Sequence, residues 1–334
     1  MTILAVGTSA VEFPDSFNLL DDSTDTVWFD DDYVSRAVLS SNTASAGGTV
    51  AKVLDTPVDD CWFRFMYRTS STGVGNSATE SSRVVFYDAD NNVIASINRR
   101  FANSLRLLVR GNSGLVAHPD EVAASNLGTS TPVEVALRLQ VTPTANTFTM
   151  YLSGGVLMTH TVAVSSKTPG TARVAARGIH SNNANVTVGF SEIMVSDGVD
   201  LRGLRLLQGT LDPEAGAYDD FVNGRGTLLD FDAMTAAISD TPGQRVSSEV
   251  TFTVPGTPTI YGLAVNARAD FETGTPDQLA AFLRIGTDNH DAAGRTMAMA
   301  VAPTFIWTQN PHTAAPWVAG DLADLEVGLL SANS

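Results

Sequence analysis

A chain of 334 residues is long for one domain and comfortable for two, each able to bury a core without metal or disulfide support. Charged residues make up 17% and hydrophobic ones 43%, with 27 Gly, so the polar surface comes largely from Ser, Thr and Asn, a mixture suited to short strands and turns. The 36 acidic against 20 basic residues leave a formal charge of −16 with no Lys/Arg cluster along the chain, which excludes the usual signature of a nucleic-acid or anionic-membrane binder.

The opening run Thr2-Ile3-Leu4-Ala5-Val6 is too short for a signal segment and has no basic residues before it, and no stretch approaches the roughly eighteen apolar residues of a membrane span. Cytosolic synthesis without membrane insertion is therefore expected. Between positions 12 and 33 acids and aromatics mix, including Trp28 and Tyr33. The adjacent Asp30, Asp31 and Asp32 alternate faces on an extended chain, so they reach one cation only if the backbone turns. Residues 40–48 form a Ser/Gly-rich loop.

Alternation then becomes clear. Cys61, Phe63, Phe65 and Tyr67 share one face, and Trp62, Arg64, Met66 and Arg68 the other, which predicts a half-buried strand. Cys61 is the only cysteine, and its apolar setting suits a packed thiol. Residues 83–87 and 93–97 pair across Asp88-Ala89-Asp90-Asn91-Asn92. That spacing resembles the start of a calcium loop, but Val93 stands in place of the required Gly and Arg99 in place of the closing Glu, so a hairpin turn is the reading. Residues 133–141 alternate again, and residues 146–157 form a hairpin through Ser153-Gly154 similar to that of laminin-G-like jelly rolls. About a dozen such runs in the first 200 residues mark a sandwich or jelly roll.

Residues 186–195 alternate, turn at Ser196-Asp197-Gly198, and lead through Arg202-Gly203 to a second apolar run at 204–211. Further on, residues 248–254, 260–269, 280–285 and 295–301 read as strands, with a polar turn at 286–294. The C-terminal part holds Trp307, then Asn310-Pro311-His312-Thr313-Ala314-Ala315-Pro316-Trp317, and after it Leu322, Leu325 and Glu326 at helical spacing. One or two helical turns docking on a sheet before a final strand are expected, with Trp317 as an apolar anchor.

Two of these segments carry a resemblance. Residues 191–206 follow the pattern S-E-[IV]-x-V-[SA]-D-x-x-x-x-R-G-x-R-L. The C-terminal part resembles N-P-x-T-G-x-x-W-T-x-x-x-[LIV]-x-x-L-[EQ]-x-G-[VL], with Ala314 where Gly is usual and Val318 where Thr is usual. Both patterns resemble a group of tailed-bacteriophage and prophage structural proteins in which a laminin-G-like, concanavalin-A-like jelly roll precedes a smaller β domain. The resemblance implies an all-β chain with a jelly roll over 1–200, and a smaller β-sandwich with a short helix over 201–334. Asp197, Arg202, Gly203, Trp307 and Trp317 would be its structural anchors.

It also implies a non-enzymatic virion protein, most readily on the tail (tip, baseplate or fibre), present as a homo-oligomer among other virion proteins. Capsid decoration, a head fibre and a carbohydrate-binding module are the alternatives. Jelly rolls of this kind often bind sugars, sometimes with Ca2+ on loop carboxylates, so Trp28, Tyr33, Trp62, Asn182 and Asn183 are candidate contacts to a host glycan. The same aromatics equally suit a core.

Catalytic chemistry finds little purchase in the residues themselves. The five histidines, His118, His160, His180, His290 and His312, form no metal-ligand spacing, and there is no G-x-S-x-G elbow or phosphate-cradling loop. Carboxylates are so numerous that a close pair in space would say little about a glycosidase. A polysaccharide-degrading enzyme therefore ranks last, and no catalytic residue, cofactor ligand or metal ligand is assigned.

Overall fold

The computed structural model describes residues 2–7, 22–23, 37–42, 49–69, 81–99, 104–123, 127, 131–177, 186–229, 237–267, 269, 276–297 and 303–333. The chain is all-β and divides into two compact units, Met1–Leu206 and Leu207–Ser334.

Two antiparallel sheets build the first unit. One has eight strands in the spatial order Gly155–Ala163, Ala145–Leu152, Val133–Val141, Asp60–Thr69, Val186–Asp197, Ala37–Asn42 and Asp22–Ser23, with Thr2–Gly7 pairing to Val186–Asp197. The other has seven, in the order Val122–Ala123, Ser104–Gly111, Val93–Arg99, Ser81–Tyr87, Thr171–Arg177 and Thr49–Val58, with Gly114–Ala117 alongside Ser104–Gly111. Sequence neighbours pair at hairpins, whereas Thr171–Arg177 inserts between Ser81–Tyr87 and Thr49–Val58, the crossover expected of a jelly roll.

The core between these sheets follows from period-two alternation. Cys61, Phe63, Phe65 and Tyr67 all point into it. Phe63 meets Phe86 across the sandwich at 6.4 Å, Phe86 meets Phe148 at 5.2 Å, and Phe65 meets Phe190 at 5.3 Å, all tilted or edge-on as ring quadrupoles prefer. Burying each such ring stabilises the fold by about 1.5–3 kcal/mol. The Cys61 thiol is enclosed here, and burial, reinforced by Asp60, pushes its pKa up, so it stays protonated.

Turn chemistry decides the hairpins. The Asp88 carboxylate accepts hydrogen bonds from the amides of Asp90 (3.0 Å) and Asn92 (2.7 Å), while Asn91 takes φ 59°. The D-x-D-x-N segment is thus closed on itself as a turn. At the second hairpin Ser153 and Gly154 have φ of 47° and 80°, the two positive values that a primed turn needs between right-twisted strands.

One expectation fails instructively. The strand Asp60–Thr69 is buried on both faces over its first half, not on one: Trp62 is 2% exposed and Arg64 0%. The cause is the chain after the last strand, which folds back over the outer face of the eight-stranded sheet. There Leu201, with Val199, Leu204 and Leu206, packs on Val6, Trp62, Ala136, Tyr151 and Met194. The first unit consequently extends through Leu206.

The second unit holds a six-stranded sheet in the order Thr210–Leu211, Arg245–Thr251, Leu325–Ala332, Gln278–Ile285 and Asp288–Asp291, with Arg295–Thr296 also on Gln278–Ile285. A two-stranded sheet, Leu263–Asn266 with Thr304–Trp307, packs on it through Val250, Leu263, Leu283, Trp317 and Leu325. The stretch expected as a polar turn at 286–294 contains a strand, because Gly286 at φ 63° lets the chain reverse at once and pair Ile285 with Asp288. The short C-terminal helix is a single 3-10 turn, Ala319–Leu322, in which the Asp321 carboxylate accepts the Val318 amide at 2.9 Å. The final strand Leu325–Ala332 follows it.

Candidate functional site

The most concentrated chemistry among the described residues of the first unit lies where the chain leaves the sheet. The strand Val186–Asp197 bulges between Ser191 and Met194, and Glu192 sits in the bulge with φ 46°, unusual for a residue with a side chain. The bulge turns the Glu192 carboxylate to the outer face, where Arg64 of the central strand also points. Arg64 Nη1 donates to Glu192 Oε2 at 3.1 Å and to the Glu192 carbonyl at 2.9 Å. Its other edge faces Glu134, with Nη2 donating to Oε2 at 3.3 Å.

The segment 199–206 closes over this pair. Arg205 Nε donates to Glu192 Oε1 at 2.9 Å and its Nη2 lies 2.8 Å from the same oxygen, while the Leu206 amide donates to Glu192 Oε2 at 3.2 Å. The Gly203 amide donates to Glu134 Oε2 at 2.8 Å, and Gly203 has φ 69°, a left-handed conformation suited to glycine. Two guanidiniums and two carboxylates therefore neutralise one another under a backbone strap. A buried charge is tolerable only when paired and hydrogen-bonded in this way.

Beside the strap, Arg202 lies over the Tyr151 ring at 4.5 Å and the Trp62 ring at 5.8 Å, and Trp62 stacks on Tyr151 at 5.3 Å. Asp200 accepts from Arg202 Nε at 2.9 Å, and that hydrogen bond holds its carboxyl below the usual carboxylate range. Arg138 also lies over the Trp62 ring, at 5.2 Å, and is held by Asp60 with 2.8 and 2.7 Å bonds. Asp197 pairs with Cys61 and Thr2 in the ladder just before the turn.

These positions sort the sequence expectations. Arg202 and Gly203 act in the strap and Asp197 ends the strand that feeds it. Trp62 is no sugar platform: its ring is covered by Tyr151, Arg138 and Arg202, because residues 199–206 fold over the face that alternation alone leaves open. Trp28, Tyr33, Asn182 and Asn183, and the Asp30 to Asp32 run, lie outside the described residues. Arg64, Glu134, Glu192 and Arg205 were not singled out in the sequence. A signal existed: Arg64 is the lone charge in the apolar run 61–67, and Glu192 and Arg205 are two of the charged letters of the 191–206 pattern.

In the second unit, Trp317 is buried and its Nε1 donates to the Trp307 carbonyl at 2.9 Å, so the two anchors are joined. Asn310 opens the turn between them, its Oδ1 accepting the His312 amide at 2.9 Å and its carbonyl the Ala314 amide at 2.8 Å. Ala314 takes φ 54°, a left-handed conformation that glycine adopts more readily. Among the described residues no three His, Cys, Asp or Glu side chains are grouped to hold a metal ion.

No protein-family model matches this chain, and no curated protein does. Among solved structures, the receptor-binding domain of botulinum neurotoxin type G matches at a TM-score of 0.36 and 11% identity, over 57% of this chain and 43% of that one. The corresponding domain of the C/D mosaic serotype matches at 0.38 and 10%, over 55% and 43%. A botulinum neurotoxin type C structure, described by its dependence on two ganglioside molecules for cell entry, matches at 0.36 and 13%, over 49% and 40%. The chain thus spans less than half the length of each of these three, and likeness at this level carries no functional inference.

Proposed function

We propose that this chain is a non-enzymatic structural protein of a tailed-bacteriophage or prophage particle, associated with the tail, present in several copies and contributing to contact with host surface glycans. The observation that carries this reading is the fate of the residues bearing the phage-like patterns. Glu192, Arg202, Gly203 and Arg205 are consumed in strapping the chain exit to the sheet, and Trp307, Asn310 and Trp317 in closing the second unit. Residues spent on such joints serve a part whose work is to hold its shape among neighbours. Glu134 and Glu192, the closest approach to a carboxylate pair in the strap, have Arg64 set between them, which leaves no room for a substrate bond there.

Reconstruction of whole particles from the producing host tests the proposal. The chain should be found as repeated density on the tail, matching both units. Purified particles that lack the chain by mass spectrometry would overturn it.

A further inference from the structure

The strand Thr171–Arg177 places Arg173, Ala175 and Arg177 on the outer face of the seven-stranded sheet, opposite the core residues Val174 and Ala176. Its neighbours add Tyr87 beside Arg173, Val85 beside Ala175 and Thr49 beside Arg177, and Arg83 completes the lining. These residues line a partly open cavity of about 80 Å³. Arg173 and Arg177 are roughly 13 Å apart along the strand, and both line the cavity with Ala175 between them.

No carboxylate of the described residues lines this cavity. Arg173 rests on the Tyr87 ring at 5.1 Å, its Nε is buried without a hydrogen bond, and neither it nor Arg177 has an ion-pair partner among the described residues. Burial first, and then the neighbouring Arg99 and Arg177, pushes Arg83 down to about 10. An anion entering the cavity would meet in Arg173 and Arg177 planar donors suited to an oxyanion.

We propose that this face binds the carboxylate group of an acidic saccharide, with Arg173 and Arg177 as the anion donors. A bare oxyanion would need guanidiniums alone. Here Thr49 and Tyr87 line the cavity beside the arginines, and Val85 and Ala175 add apolar surface suited to the C–H face of a sugar. The volume accommodates a carboxylate and its adjoining carbons, with the rest of the saccharide projecting outward. This deepens the glycan-contact part of the reading above and rests on it.

The test is calorimetric titration of the full chain with glucuronate, glucose, acetate and inorganic phosphate. Glucuronate should bind more tightly than the other three, and both Arg177→Gln and Arg173→Gln should weaken it roughly tenfold. Far-UV circular dichroism and the ligand-free Tm should match the parent, most closely for Arg177→Gln, since Arg173→Gln also removes the contact with the Tyr87 ring. Absence of glucuronate binding, acetate or phosphate binding as well as glucuronate, or unchanged binding in both variants would each overturn the proposal. Those outcomes would leave incorporation into particles untouched, and a chain missing from particles would leave the titration untouched.

Discussion

Arg64 shows how one residue can reverse the reading of a strand. Alternation places it on the solvent face, yet it is 0% exposed because two glutamates and a strap of backbone replace the water. Removing one partner leaves a buried charge uncompensated, so Glu192→Gln should destabilise the first unit by roughly 3 kcal/mol, read from urea unfolding followed by Trp fluorescence. A loss below 1 kcal/mol would mean that the network is hydrated and contributes little. Ala314 makes the opposite case. It holds φ 54° at an exposed position, so Ala314→Gly removes backbone strain in the folded state at the expense of added freedom in the unfolded one. The expected net gain is about 0.5–1 kcal/mol, seen as an increase of about 2–4 °C in the calorimetric Tm of the second unit.

Elements here are set by hairpin chemistry that is local and by a strap that is not. The turns at Asp88 to Asn92 and at Ser153-Gly154 were readable because side-chain capping and positive φ belong to the residues of the turn itself. The strap at 199–206 was not, since its partners Arg64 and Glu134 are distant in sequence and only sheet pairing brings them under it. Its stability should depend on acid. Asp200 has its carboxyl held below the unfolded value by Arg202, so its contribution is present above the unfolded pKa of about 3.9 and is lost as pH falls through the lower folded value. Asp200→Asn should therefore flatten the fall of the urea midpoint below about pH 4, and an unaltered acid limb would show that the pair is screened by solvent.

At the level of the molecule, the strap sets where the first unit ends. A chain of residues 1–206 should unfold in one cooperative transition, whereas 1–200 loses Leu201, Leu204, Arg205 and Leu206 and exposes Trp62. Its Tm should be lower by roughly 10 °C, the sum of lost apolar burial and an unbalanced buried charge. Equal melting of the two would place the working boundary at the turn near Gly198 instead.

The all-β class, the hairpins and the inward faces of the long strands were determined by sequence alone, because strand period and turn preference act over a few residues. The burial of Trp62 and Arg64 and the gathering of Arg83, Arg173 and Arg177 into one cavity were decided only in three dimensions. No basic cluster runs along the chain, and the arginines meet because the crossover inserts Thr171–Arg177 beside Ser81–Tyr87. Which strand becomes whose neighbour depends on pairing across long loops, and charge distribution on a sheet face is a property of that pairing.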